Sequence, residues 1–116
     1  GTVDYDGLIV TNEPVADVVT VTLAASQGVL ARGTVITGAA GGELSAAAAA
    51  LVATNAVYIL ADETDTGTGT AVTATAYRTG HFARNKLSTD GSYTLVAADE
   101  EIMRNAGILL SDALDY

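Results

Sequence analysis

"AVTATAYRTGHFARNKL", residues 71–87, is the stretch on which the fold turns. Its first half, "AVTATAYR" (71–78), alternates apolar and polar side chains, the period of a half-buried strand. Thr79-Gly80 is a turn signal, so a hairpin is expected in which "HFARNKL" (81–87) returns beside the first strand. The same stretch holds the chain's single His (His81), its single Phe (Phe82) and three of its five basic residues, Arg78, Arg84 and Lys86. In a chain of formal net charge −9 that concentration needs a reason: an active site, an anion-binding patch, or a surface for another protein.

Outward from this stretch the β signal repeats. "VVTVTL" (18–23) sets Val19, Val21 and Leu23 on one face and Val18, Thr20 and Thr22 on the other. "VLARGTVIT" (29–37) is a β-branched run interrupted at Gly33, a strand that bends or bulges. "AVYILA" (56–61) reads as a buried strand, and "DETDTGTGT" (62–70) as a polar loop. Between them, "GAAGGELSAAAAALVATN" (38–55) combines a glycine-marked turn with an alanine run, for which a helical turn or two is expected. "AADEEIMRNAG" (97–107) is the clearest helix. Asp99, Glu100 and Glu101 suit its first turn, Arg104 its last, Gly107 its stop, and Ala98, Ile102 and Ala106 an apolar stripe. "ILLSDAL" (108–114) reads as a final strand, while residues 1–14, aperiodic and ending at Pro14, read as an extended arm. The expected fold is mainly β, a β-rich α+β domain. It is a small barrel or sandwich over residues 15–116, with one short helix in its C-terminal half and the N-terminal arm.

At 116 residues the chain makes one domain with a modest core of Val, Leu, Ile, Ala and some of the five Tyr. Each buried large aliphatic contributes about 1.5–3 kcal/mol, and chains this small often complete their burial by oligomerising. The absence of Cys removes disulfides, thiolate metal sites and thiol nucleophiles. A pI near 4.1 argues against nucleic acid and anionic membranes. "AAAAALVA" and "AVYILA" are too short to cross a bilayer, and "GTVDYDGLIV" lacks the basic start of a signal peptide.

No catalytic or metal-binding pattern stands out. His81 is alone, so a multi-His metal site is excluded, and no strand–turn serine motif supports a Ser–His–Asp triad. Asp62, Glu63 and Asp65 lack the spacing and distal Glu of an EF-hand loop. The nearby glycines do not open a helix, as a phosphate-cradling loop requires. The expectation is a protein that is not an enzyme and takes no cofactor, metal or small-molecule substrate. On pattern alone the basic cluster is equally an edge-protecting, acid-neutralising group or a subunit contact.

The order of pieces resembles the lambda-type tailed-phage head decoration proteins, which stabilise capsids. "LARGTVIT" (30–37), the glycine-marked stretch, "AVYILADETDT" (56–66), "AVTATAYRTGHFARNKL" (71–87) and "AADEEIMRNAGILLSDAL" (97–114) carry the resemblance, over roughly residues 28–114. It implies a homotrimer at local three-fold positions on the outer head surface, bridging major capsid protein subunits after expansion. It further implies a capsid-binding arm carrying Tyr5, Leu8, Ile9, Val10 and Pro14, ordered against the coat. Tyr77, Arg78, His81, Phe82, Arg84 and Lys86 then fall at subunit or coat contacts. The competing expectations are an acidic β-domain binding module of a bacterial surface-layer or adhesion protein, and a small enzyme.

Overall fold

A computed structural model of the chain describes residues 7–11, 14–91 and 93–112. The strands are β1 (Ile9–Thr11), β2 (Asp17–Leu23), β3 (Val29–Leu30), β4 (Val35–Gly38), β5 (Glu43–Ala46), β6 (Ala56–Leu60), β7 (Thr64–Asp65), β8 (Val72–Ala83) and β9 (Ile108–Ser111). Helix α1 (Ala97–Asn105) precedes β9, and a short 3-10 turn, Arg84–Lys86, follows β8.

The stretch expected to be a hairpin is one unbroken strand, β8, of 12 residues. Gly80 lies within it for a different reason from a turn. The Phe82 ring lies against the Gly80 backbone so closely that a Cβ there would come within 2.6 Å of it. Only glycine leaves room for the ring to reach the core.

β8 is the spine of the fold. Its first part pairs antiparallel with β2 (Thr22↔Thr73 to Val18↔Tyr77) and with β6 (Ile59↔Tyr77, Leu60↔Ala76). β2 continues the ring through β5, β5 through β4, and β4 through β6, closing a small barrel of five strands. The far end of β8 carries β1 antiparallel (Ile9↔Phe82) and β9 parallel (Gly80↔Ile108 to Ala83↔Ser111). β3 and β7 form a separate two-stranded ribbon.

The two-residue period of the strands separates two apolar cores. Leu23, Ile36, Leu60 and Ala76 fill the barrel. Their chain neighbours Val35, Ile59 and Tyr77 face the other way, in register from strand to strand, and belong to a second core on the barrel's outside. Met103 of α1, Ile108 of β9, Phe82, Leu8 and the anchors Ala47 and Leu51 complete that core. The helix thus seals the outer face of the barrel.

Three expectations change here. The alanine stretch forms β5 and then an irregular excursion, residues 47–55, with no helix. Its amides go to tertiary partners instead: Ala47 N–H to Val35 O (2.9 Å) and Leu51 N–H to the Asp99 carboxylate (2.9 Å). A run this short gains too little from alanine propensity to resist. In α1 the buried side chains are Asp99 and Met103, one position round from the expected Ala98–Ile102–Ala106 stripe. Leu8 and Ile9, expected on an arm, belong to the folded domain: Leu8 is 1% exposed, and its carbonyl accepts from Ala83 N–H at 2.7 Å. β1 has 3 residues, too short for alternation to declare itself in sequence.

Candidate functional site

The basic residues of 78–86 share a stretch of chain, and its two arginines are engaged by different elements. Arg78 on β8 is ion-paired with Asp17 on β2, both more than two-fifths exposed. Pairs this wet contribute at most about 1 kcal/mol. Arg84 binds Glu100 of α1 through two parallel contacts, Nε to Oε2 and Nη2 to Oε1, each 2.8 Å, and Asp112 Oδ1 at 2.5 Å. The Glu100 hydrogen bonds, and then those of Asp112, hold its guanidinium still more firmly protonated than usual. It thereby clips the helix and the end of β9 to the 3-10 turn. Lys86 is exposed, and its Cε would be 3.6 Å from a Cβ on Gly7, where the described N-terminal segment begins.

His81 joins the two strands that flank the end of β8. Its Nδ1 lies 3.3 Å from Thr11 Oγ1 on β1 and its Nε2 2.9 Å from Ser111 Oγ on β9. The Ser111–His81 contact resembles half of a nucleophilic pair, yet the second ring nitrogen meets a neutral hydroxyl. In a Ser–His–Asp triad a carboxylate stands there to steady the imidazolium. The geometry is that of a cross-strand tie.

Neither of the two aromatic residues is fully exposed. Phe82 is fully buried, which removes it from the expected contact surface. Tyr77 is half-buried, its ring centroid 5.5 Å from that of Phe82. Its hydroxyl accepts from Arg32 Nη1 at 2.7 Å, and the same nitrogen donates to Ala61 O at 2.9 Å. Of the expected arm residues, Val10 is 40% exposed, Pro14 is partly exposed, and Tyr5 lies outside the described residues.

Sequence reasoning missed three polar residues that organise the surface. Asp99, 1% exposed, accepts from the Leu51 amide (2.9 Å), the Val96 amide (3.0 Å) and the Tyr93 hydroxyl. Burial pushes its carboxyl up, but the Tyr93, Val96 and Leu51 donors outweigh that and hold it below its usual value. The same bond raises the Tyr93 hydroxyl. An acid two residues into a helix, reaching back to the residue before it, was the available signal. Gln27 stands in for a strand: Nε2 donates to Ala24 O (2.7 Å) and Leu44 O (3.2 Å), and Oε1 accepts from Ala46 N–H (2.8 Å). Thr66, fully buried, accepts from Gln27 N–H (2.8 Å) and donates to Gly28 O (2.7 Å), pinning the acidic 62–70 loop to the barrel.

An open groove of about 560 Å³ runs between Val29, Ala31, Ser45, Ala48 and Asp90. Its deeper polar groups are committed to backbone, Gln27 as above and Thr34 Oγ1 to Ala31 O at 2.7 Å. The surface offers apolar contact instead: Val15, Val18, Val29, Val52 and Val96 are all more than half exposed.

A family model, bacteriophage lambda head decoration protein D, matches residues 1–109 of the 116. The chain belongs to that family. No curated protein matched it. As a head decoration protein it is a structural component of the phage virion, on the surface of the head. For a head decoration protein, a closed barrel with internally paired Arg78 and Arg84 and exposed valines is a scaffold that presents surface.

Proposed function

We propose that this decoration protein acts as a homotrimer at local three-fold positions of the expanded head and bridges major capsid protein subunits. Residues preceding Leu8 form the attaching arm, and Tyr5 is its aromatic anchor. The observation that carries this reading is the rooting of the arm. Leu8 is locked into the outer core and bonded to Ala83, so a pull on the arm is delivered to the barrel itself. A segment rooted in a rigid domain can add its backbone to the coat protein and transmit load. Three arms on one body bind multivalently, which turns weak single contacts into firm attachment. Val10, Pro14, Arg78 and exposed Lys86 lie on this flank or beside the chain's exit and supply further coat or subunit contacts, with His81 and Arg84 holding the strands beneath.

Deletion of residues 1–6 tests the arm directly. The truncated protein is expected to keep its fold and lose attachment to expanded heads in a sedimentation assay. Attachment equal to that of the full chain would refute the arm.

A further inference from the structure

The described residues contain one Asp-Gly step, Asp90-Gly91, in the connection between the 3-10 turn and α1. Both residues are exposed and lie outside helix and strand. Gly91 has φ +100°, and a Cβ there would meet nothing within 4 Å, so its nitrogen stands in open space with no side chain over it. Among the described residues no partner takes its amide. The aspartates elsewhere are placed differently. Asp17 lies in β2 and is paired with Arg78, Asp65 Oδ1 accepts from the Gly67 amide at 3.0 Å, and Asp99 is 1% exposed. Each of these three precedes a residue with a side chain, Val18, Thr66 or Glu100.

We propose that Asp90-Gly91 is a site of spontaneous main-chain isomerisation, at which the protein converts itself to an isoaspartate form. The Gly91 nitrogen attacks Cγ of the protonated Asp90 carboxyl. An N–Cγ bond forms, the Cγ–OH bond breaks, and the hydroxyl leaves with the amide proton as water, giving a succinimide. Water then opens the ring at either carbonyl. Opening at Cγ restores aspartate, whereas opening at the Asp90 main-chain carbonyl breaks the original peptide bond and leaves the chain running through Cγ. Nothing is oxidised or reduced, and the mass is unchanged. The position matters because this segment is anchored on both sides. Ser88 O accepts from Val35 N–H (2.8 Å), the Asp90 amide donates to Ala47 O (3.2 Å), and Thr89 Oγ1 donates to Tyr93 O across the step. Beyond it the Tyr93 hydroxyl donates to Asp99. Isoaspartate adds one carbon to the main chain between these anchors, so the Thr89–Tyr93 bond loses its geometry and the displacement passes to the Asp99 clamp. A virion outside its host makes no replacement protein, so the isomer accumulates with age.

The test ages the whole protein in warm neutral buffer and then cleaves it after its basic residues. Cleavage after Lys86 and Arg104 releases residues 87–104, in which Asp90 and Asp99 are the two aspartates. A second peptide of equal mass and different retention is expected to grow with time, and fragmentation is expected to place the new linkage at residue 90. Asp90→Glu should abolish it. Asp90→Asn should reach the same isoaspartate faster, with loss of ammonia, because an amide carries no charge to repel the attacking nitrogen. No second peptide from the folded protein, over a time in which a free peptide of residues 87–95 converts, would overturn the proposal. A linkage found at Asp99 and not at Asp90 would do the same. The isomer, separated from unaltered protein, is expected to unfold at a lower urea concentration, and an unshifted midpoint would overturn its connection to the Asp99 clamp.

Discussion

Asp99→Ala is the substitution whose cost can be worked most fully from the structure. The carboxylate is buried and accepts three hydrogen bonds, two from main-chain amides and one from Tyr93. Alanine removes every acceptor and leaves the Leu51 amide buried against the outer core. Each stranded buried donor costs about 1–3 kcal/mol. Tyr93 can turn its hydroxyl to water, the amide of half-exposed Val96 can be hydrated, and removing the carboxylate recovers some desolvation, so the net expected loss is about 1–3 kcal/mol. Against a total stability of about 5–15 kcal/mol that is substantial. Asp99→Asn keeps one accepting oxygen and should cost about half as much. Urea unfolding followed by circular dichroism, with the slope checked for constancy, measures both. The folded Asp99 titrates below its usual value, so its contribution is complete above the unfolded carboxyl's pKa, about 3.9, and is lost as pH falls through the lower folded value. The wild type should therefore show an acid-side decline that Asp99→Asn flattens. A loss under about 1 kcal/mol for Asp99→Ala would refute the assignment of this carboxylate as the clamp between the 47–55 excursion and α1.

Gly80→Ala should destabilise by about 2–4 kcal/mol, since the new methyl meets the Phe82 ring in a backbone conformation unfavourable to alanine. In a double-mutant cycle with Phe82→Leu the two costs should be clearly less than additive, and simple additivity would contradict the close approach. Arg84→Ala should cost no more than about 1 kcal/mol in dilute buffer and less in high salt, because its carboxylate partners are reached by solvent; parallel melts at two ionic strengths measure this. Removing residues 1–11 should destabilise the domain, unlike removal of 1–6, because it deletes Leu8 from the core, and thermal melts of the two truncations make the comparison.

The elements legible in the sequence are those set by local pattern. β2 and β6 followed from alternation and apolar runs, and α1 from its charged first turn and Gly107 stop. The misreadings came from contacts between distant residues. Gly80 has the local look of a turn, and only the approach of the Phe82 ring makes it a strand residue. The alanine run has the local look of a helix, yet Val35 and Asp99 take its amides. For the candidate site, sequence located the basic stretch but not its partners, since Asp17, Glu100 and Asp112 are remote in the chain. The resemblance places Phe82 among the contact residues, and its packing against the Gly80 backbone in the outer core buries it. Asp99 escaped because nothing nearby in sequence marks the Leu51 amide it serves.

By the function proposed for it, this chain strengthens an expanded head by joining its subunits. Calorimetry of purified expanded heads, with and without saturating protein, addresses it most directly, because a ligand of the assembled lattice must raise its disruption temperature by linkage. The disruption temperature of expanded heads should rise with added protein and saturate, while that of unexpanded shells stays unchanged. Protein bound to full occupancy with no change in the disruption temperature of expanded heads would contradict the account.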